Sequence, residues 1–332
     1  MKKKIMAIIM VAVMMILTFA GCAGSDEKTE NSKKEAEKVP VDVNIMALKG
    51  PTAMGLVEMM EHSDYHFSIA ASVDEVSPKL LQGETDIAAI PANLASVLYN
   101  KTKGEIQVLA INTLGVLYIV ENGETIQNVA DLKGKTIYAS GKGATPEYAL
   151  NYILSSNGIN PETDVKIEWK SEHSECVAAL TSEENGVAML PQPFVTTAQA
   201  KNSQIRTALD LTKEWDELQK DSEKKSSMIT GVVVARKEFV KQNPEAVQKF
   251  LKEYHSSVDY VNENVTDAAQ LIEKYDIVPA AVAEKALPAC NIVCIDGEKM
   301  EEKLSGYFEV LNEQNPQSIG GEVPNHDFYY VQ

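Results

Sequence analysis

Ile45-Met46-Ala47-Leu48-Lys49-Gly50-Pro51-Thr52-Ala53-Met54-Gly55 is an apolar run that stops at a glycine and restarts at once with the marks of a helix. Proline beside a small polar residue opens a helix, and the first N–H groups of a helix have no partner within it and can hold a ligand. The same layout returns farther along, in Thr136-Ile137-Tyr138-Ala139-Ser140-Gly141-Lys142-Gly143-Ala144-Thr145-Pro146-Glu147. Two such strand-to-helix ends in one chain predict two lobes that face one ligand.

Working outward from these ends, short apolar strands alternate with amphipathic helices, the pattern of βαβ units around mainly parallel sheets. Residues 41–48 read as a strand and 53–62 as a helix with Met54, Met59 and Met60 on its buried face. Residues 66–72 are a strand, 76–82 a helix and 87–90 a strand that stops at Pro91-Ala92-Asn93, where a helix over 94–99 begins. Strands over 106–112 and 117–120 are expected to complete the first sheet. The order then repeats: a strand over 135–139, a helix over 146–156 closed by Gly158, a strand over 165–169, a helix over 175–181 and a strand over 187–190. Pro191-Gln192-Pro193 opens a further helix that runs to residue 200. Ile87-Ala88-Ala89-Ile90-Pro91 is thus answered by Val187-Ala188-Met189-Leu190-Pro191, a duplication of architecture with slight sequence identity.

Beyond Asn202 a charged stretch reads as surface helix and loop. Residues 229–235 form a β-branched strand that carries the chain back to the first lobe. Asn243, as a cap, and Pro244, at the first position, start a helix that ends near residue 262. Helices over 267–275, 280–286 and 300–312 follow with no strands of their own and are expected to pack on the first lobe. Phe328-Tyr329-Tyr330 is expected to anchor the tail.

The 332 residues are enough for two domains, yet the first part belongs to neither. Lys2, Lys3 and Lys4 precede an uncharged run over 5–19 and then Ala20-Gly21-Cys22, the three zones of a secretory signal. The run is short for a membrane-spanning helix, which needs about 20 apolar residues. Residues 23–38 are polar and charged, a composition that buries no core and reads as a flexible tether. Removing the three lysines leaves 28 positive against 48 negative side chains. Nucleic-acid binding is excluded, because it draws on clustered Lys and Arg. Arg206 and Arg236 are the only arginines, which excludes a multi-arginine anion clamp. Cys176, Cys290 and Cys294 read as buried thiols, with a pairing of Cys290 and Cys294 left open. No His or Cys stands at zinc spacing, so neither metal nor cofactor is expected. The five histidines show no Ser or Cys partner by motif, so no nucleophile–base pair is expected.

Ala20-Gly21-Cys22 resembles the lipobox of bacterial lipoproteins, with Phe19 in place of the usual leucine, which implies that Cys22 is acylated. The body contains Leu48-Lys49-Gly50-Pro51-Thr52, Gly83-Glu84-Thr85-Asp86-Ile87-Ala88, Asp131-Leu132-Lys133-Gly134-Lys135-Thr136-Ile137, Thr145-Pro146-Glu147 and Pro191-Gln192-Pro193-Phe194. By these stretches it resembles the solute-binding proteins of ABC importers, in the group serving nitrate, sulfonates and thiamine-precursor pyrimidines. The resemblance implies an α/β fold of the two-lobed periplasmic-binding-protein type II (Venus-flytrap) kind, each lobe a mixed, mainly parallel sheet flanked by helices. The expected division is a lipoprotein signal peptide over 1–21, a tether over 22–39, a first lobe from 40–121 and 233–332, and a second lobe from 122–232. It implies a monomeric binding protein, not an enzyme, lipid-anchored on the outer face of the cytoplasmic membrane. Its partners are then a small solute and the permease and ATPase of an importer, and its hinges lie near residues 120–124 and 231–234. The predicted solute contacts are Gly50, Pro51, Thr52, Pro91, Ala92, Asn93, Asn112, Thr113, Gly143, Ala144, Thr145 and Gln192, each at a strand end or helix start. Family members often carry a glutamate where Gln192 stands, so a carboxylate's role there does not carry over. Sulfonate, carboxylate and pyrimidine remain unranked as solutes. The rival readings are a tethered ligand sensor and an enzyme of the menaquinone- or pyrimidine-pathway type on the same fold.

Overall fold

The computed structural model describes residues 42–62, 64–221 and 226–331. The predicted signal peptide, Cys22 and the tether lie outside the described residues. In chain order the elements are β1 (Asn44–Leu48), α1 (Pro51–Met54), α2 (Met59–His62), β2 (His66–Ala70), α3 (Val73–Gln82), β3 (Ile87–Pro91), α4 (Ala92–Thr102), β4 (Ile106–Leu114) and β5 (Leu117–Glu121). Then follow β6 (Thr136–Ser140), α5 (Thr145–Ser156), β7 (Lys166–Lys170), α6 (His173–Ser182), β8 (Val187–Pro191), α7 (Phe194–Lys201), β9 (Arg206–Asp210) and α8 (Leu211–Leu218). The remainder comprises β10 (Ile229–Arg236), α9 (Lys237–Gln242), α10 (Pro244–Glu263), α11 (Val265–Lys274), α12 (Ala280–Ala286), β11 (Ile292–Ile295) and α13 (Gly297–Gln314).

The strands form two sheets, ordered β11-β4-β10-β3-β1-β2 and β7-β6-β8-β5-β9. In the first, β1 is parallel to β2 and β3, while β10 runs antiparallel to β3 and β4. In the second, β6 is parallel to β7 and β8, while β5 runs antiparallel to β8 and β9. Each sheet therefore holds a reversed strand sent from the other half of the chain, β10 in the first and β5 in the second, at the same place in the order, and the first carries a further reversed strand, β11, against β4 at its edge. The apolar pentapeptides noted above occupy equivalent central positions. Pro91, the last residue of β3, pairs with Gly231, and Pro191, the last of β8, pairs with Leu117.

Three expectations are corrected. Residues 117–120 do not complete the first sheet: β5 pairs with β8 and β9 in the second. The chain thus crosses at residues 114–117, and returns between α8 and β10, whereas 120–124 and 231–234 fall at the end of a strand or inside one. An apolar run fixes strand character but not the sheet that receives it, which depends on distant partners. The second correction is the charged stretch after Asn202, which contains β9, an edge strand with only Leu209 of its five residues buried. The third is β11, a short edge strand against β4 in the segment expected to be helical throughout. Asn243 also departs from its expected role, since its side chain donates to Phe239 O at 3.3 Å and caps nothing.

One apolar cluster runs from Val232, Val234, Tyr307 and Phe308 of the first lobe to Leu117, Ile119, Ile137 and Trp215 of the second. Phe328 is fully buried and Tyr329 bridges to Val108, as expected for an anchored tail. Cys176, Cys290 and Cys294 are free thiols.

Candidate functional site

The carboxyl ends of β1, β3 and β4 and the amino end of β10 share one edge of the first sheet; those of β6, β8 and β9 and the amino end of β5 share one edge of the second. The crossing at residues 114–117 joins the two edges directly, so every predicted contact residue falls on one of them. Ligands of open α/β sheets sit at such edges.

At the end of β1, Gly50 adopts φ 125°, a region that favours glycine, and Pro51 opens α1. That helix is a single turn of four residues, so the expected continuous helix to His62, with its field, is absent. The Thr52 hydroxyl turns back to donate to Leu48 O at 2.8 Å. Asn112 Oδ1 accepts from the Thr113 hydroxyl at 2.9 Å, and its Nδ2 approaches Thr52 O at 3.5 Å. Gly231 faces this group so closely that an added Cβ would lie 2.4 Å from Asn112 Oδ1 and 2.7 Å from Thr52 Cγ2. The sequence-predicted Thr52, Asn112 and Thr113 are thus one cluster.

A second cluster joins the two lobes. Pro91 precedes α4, Ala92 is fully buried as its first residue, and Asn93 is 2% exposed. Asn93 Oδ1 accepts from the backbone N–H of Thr145 at 3.2 Å and from its hydroxyl at 3.3 Å. Asn93 Nδ2 donates to Ser318 O at 3.1 Å and approaches Gly143 O at 3.5 Å. Tyr307, on α13, donates to the Thr145 hydroxyl at 3.4 Å. Residues proposed for opposite walls of a cleft therefore bond to each other. Gly143 N–H donates to Glu147 Oε2 at 2.6 Å, so a carboxylate of the chain itself occupies the start of α5, and Ala144 N–H returns to Gly141 O at 3.1 Å.

Gln192 stands apart from both clusters. Its backbone N–H donates to Val116 O at 3.0 Å, and its Oε1 accepts from the Thr196 hydroxyl at 3.0 Å and N–H at 3.3 Å. The peptide bond to Pro193 is cis.

Three features have no counterpart among the sequence expectations. Ser140, the last residue of β6, is hydrogen-bonded to Nδ1 of His173, the first residue of α6. The Phe194 ring lies 4.8 Å from that imidazole, and burial pushes the imidazole down to about 4, so it is neutral near pH 7. A histidine does have a serine partner, contrary to expectation; their separation in the chain by a strand and a loop left no motif to find. Tyr118 reaches across to Ala289 O at 3.3 Å, and burial, with Asp210 nearby, pushes its phenol up to about 12. Tyr152, Trp215 and Tyr307 form a chain of rings with centroids 4.5 and 5.6 Å apart. Trp215 could have been found from Leu211, Trp215 and Leu218, which keep helical spacing within the charged stretch.

The arginines stay away from these edges. Arg206 pairs with the fully buried Glu121 at the far end of β5, and Arg236 pairs with Asp86 at 2.6 Å ahead of β3. Burial alone would raise the Glu121 carboxyl, yet hydrogen bonds from Ile126 and Thr125 and the Arg206 charge hold it below the ordinary range. Thr52, Asn93, Asn112, Tyr118, Ser140, Thr145, His173 and Gln192 at these edges carry no charge near neutral pH and offer neutral hydrogen-bonding groups.

Residues 57–285 match the profile of the family described as ABC transporter, phosphonate, periplasmic substrate-binding protein. A binding protein of Brucella abortus is 24% identical over 178 residues, 54% of this chain and 52% of its own length; the chain thus spans about half of the curated relatives it matches. An ABC transporter structure from Parabacteroides distasonis superposes with a TM-score of 0.73 at 20% identity, over 88% of this chain and 99% of that one. The periplasmic aliphatic sulphonate binding protein SsuA from Escherichia coli gives 0.67 at 15% identity, over 86% and 95%. At these identities the structures share the fold.

Proposed function

Since the chain belongs to the periplasmic substrate-binding family of phosphonate ABC transporters, we propose that it captures one small solute between its two facing sheet edges and delivers it to an importer permease. The observation that carries this reading is the meeting of both carboxyl edges at one crossing, with Asn93 of one lobe bonded to Thr145 of the other. Closure about the crossings at residues 114–117 and ahead of Ile229 would make and break such bonds. On this reading the first lobe takes 42–114 and 229–331, and the second takes 117–221.

The solute contacts are drawn from the twelve predicted residues, with Ser140, His173 and Tyr118 added. Gly143 and Thr145 act as much in lobe-to-lobe bonding as in solute contact. The solute meets neutral donors and acceptors, with the arginines engaged elsewhere. The Escherichia coli protein binds aliphatic sulphonates and the family is described by phosphonates; with Glu147 on the start of α5, an anion here competes with an internal carboxylate. The Ser140–His173 pair does not suggest catalysis, because burial accounts for its lowered pKa and, among the described residues, no carboxylate is hydrogen-bonded to the ring to orient it. Residues 1–21 act as an export signal, and acylated Cys22 with the tether over 23–39 holds a monomeric body at the outer face of the cytoplasmic membrane.

Thermal-shift screening against alkanesulfonates, alkylphosphonates, nitrate, carboxylates and uncharged ring compounds tests the reading. One small solute should raise the melting temperature. Stabilisation by a protein partner and by no small solute would overturn transport in favour of a tethered sensor.

A further inference from the structure

The inner face of α8 carries polar atoms that the fold leaves without partners. Thr212 and Trp215 of α8 and Gln219, the residue that caps its end, stand at spacings of three and four along one face. Thr212 Oγ1, the indole Nε1 of Trp215 and Gln219 Oε1 are buried and have no hydrogen-bond partner among the described residues, and Ser226 Oγ shares that condition. Trp215 is 0% exposed, Gln219 6% and Ser226 5%. An indole N–H can only donate, and a buried donor left without an acceptor is costly. Several on one face point to a missing occupant.

Their place in the fold says what that occupant touches. A Cβ added at Gly115 would lie 2.2 Å from Thr212 Oγ1 and 2.6 Å from Met228 Cε, so α8 rests on both crossings between the lobes. Tyr152 of the second lobe lies 4.5 Å from the Trp215 ring, and Tyr307 of the first lies 5.6 Å from it. Gln219 Nε2 donates to the Tyr152 hydroxyl at 2.5 Å, leaving its Oε1 as acceptor. The group is uncharged, aromatic-walled, and offers donors (the indole N–H and hydroxyls) and an acceptor (the Gln219 amide oxygen).

We propose that this face of α8 is a solute subsite at the base of the cleft, and that the solute presents to it an uncharged planar group with both a hydrogen-bond acceptor and a donor, such as a ring amide. This rests on the solute-binding reading above and narrows its solute class. A charged sulfonate or phosphonate group has no cation here to meet it.

Trp169 and Trp215 are the only tryptophans in the chain, so a Trp169→Phe variant of the full-length protein reports on Trp215 alone. Nicotinamide and uracil serve as uncharged probes, methanesulfonate and methylphosphonate as charged ones, each followed by Trp215 fluorescence and thermal shift. An uncharged probe should shift both signals. With both tryptophans otherwise native, Trp215→Phe keeps a ring and removes the N–H, and should weaken that probe by about tenfold. Should Trp215→Phe unfold the chain, Thr212→Val and Gln219→Glu supply the same comparison. Stabilisation by a charged probe alone, with Trp215 fluorescence unmoved, overturns the subsite and leaves the solute-binding reading standing. Stabilisation by none of the four overturns the subsite, while the wider solute screen decides the function. An uncharged probe that binds Trp215→Phe, Thr212→Val and Gln219→Glu as well as the parent likewise overturns it.

Discussion

Replacing Asn93 with leucine removes the side chain that ties the two lobes while keeping its volume. Asn93 Oδ1 is the acceptor for the Thr145 N–H and shares its hydroxyl with Tyr307, and Asn93 Nδ2 serves Ser318 O. The hydroxyl keeps one partner, so the chief loss is a buried backbone N–H without an acceptor, about 1–3 kcal/mol, with roughly 1 kcal/mol more for the Ser318 carbonyl. The sum, about 2–4 kcal/mol, corresponds to a fall in melting temperature of roughly 2–4 °C per kcal/mol. Urea denaturation of Asn93→Leu, Thr145→Val and the double variant measures the pair itself, since residues sharing a network couple by about 0.5–3 kcal/mol. A single-variant loss below about 0.5 kcal/mol, within the range of surface changes, together with additive effects, would refute the cross-lobe bond.

Three further outcomes follow from named contacts. Gly231→Ala places a Cβ against Asn112 and Thr52 at 2.4 and 2.7 Å, so chemical denaturation should show about 1–3 kcal/mol of destabilisation from overpacking; an unchanged midpoint would contradict that packing. The His173 imidazole stays neutral in the fold down to about 4 and takes up a proton at about 6.5 once unfolded. The unfolded chain thus binds more protons in that window, and the stability contributed by His173 is complete above pH 6.5 and lost as the pH falls towards 4, with a slope approaching about 1.4 kcal/mol per unit. His173→Gln should flatten the profile there, and an unaltered slope would show that the ring is solvated. Cys22→Ser should move the protein from the membrane to the soluble fraction with an unchanged melt; retention at the membrane would contradict the acyl anchor.

The sequence carried the parts of the fold that local physics dictates. Apolar pentapeptides ending in proline at Pro91 and Pro191 were enough to place two equivalent strands, because a fully buried parallel strand needs little beyond an apolar run and a stop. The edges that hold Thr52, Asn93, Thr145 and Gln192 were legible for the same reason, as strand ends are where such runs meet turn residues. What escaped was what distant partners decide. Nothing in Leu117–Glu121 names β8 and β9 as neighbours, so the sequence alone assigns β5 to the first sheet. β9 and β11 are edge strands with few buried residues, and their composition resembles that of a loop. The turning of Asn93 toward Thr145, 52 residues away, and the pairing of Ser140 with His173 are tertiary facts with no local signature.

The central claim is that one small solute is held between the two lobes. Native mass spectrometry of the detergent-released full-length protein, mixed with each member of the thermal-shift panel, measures it most directly. The account predicts one adduct of a small solute per chain, reduced in Asn112→Ala and Gln192→Ala variants that keep the parent's melt. No adduct with any small solute, in a protein that still recruits a macromolecular partner, would contradict it.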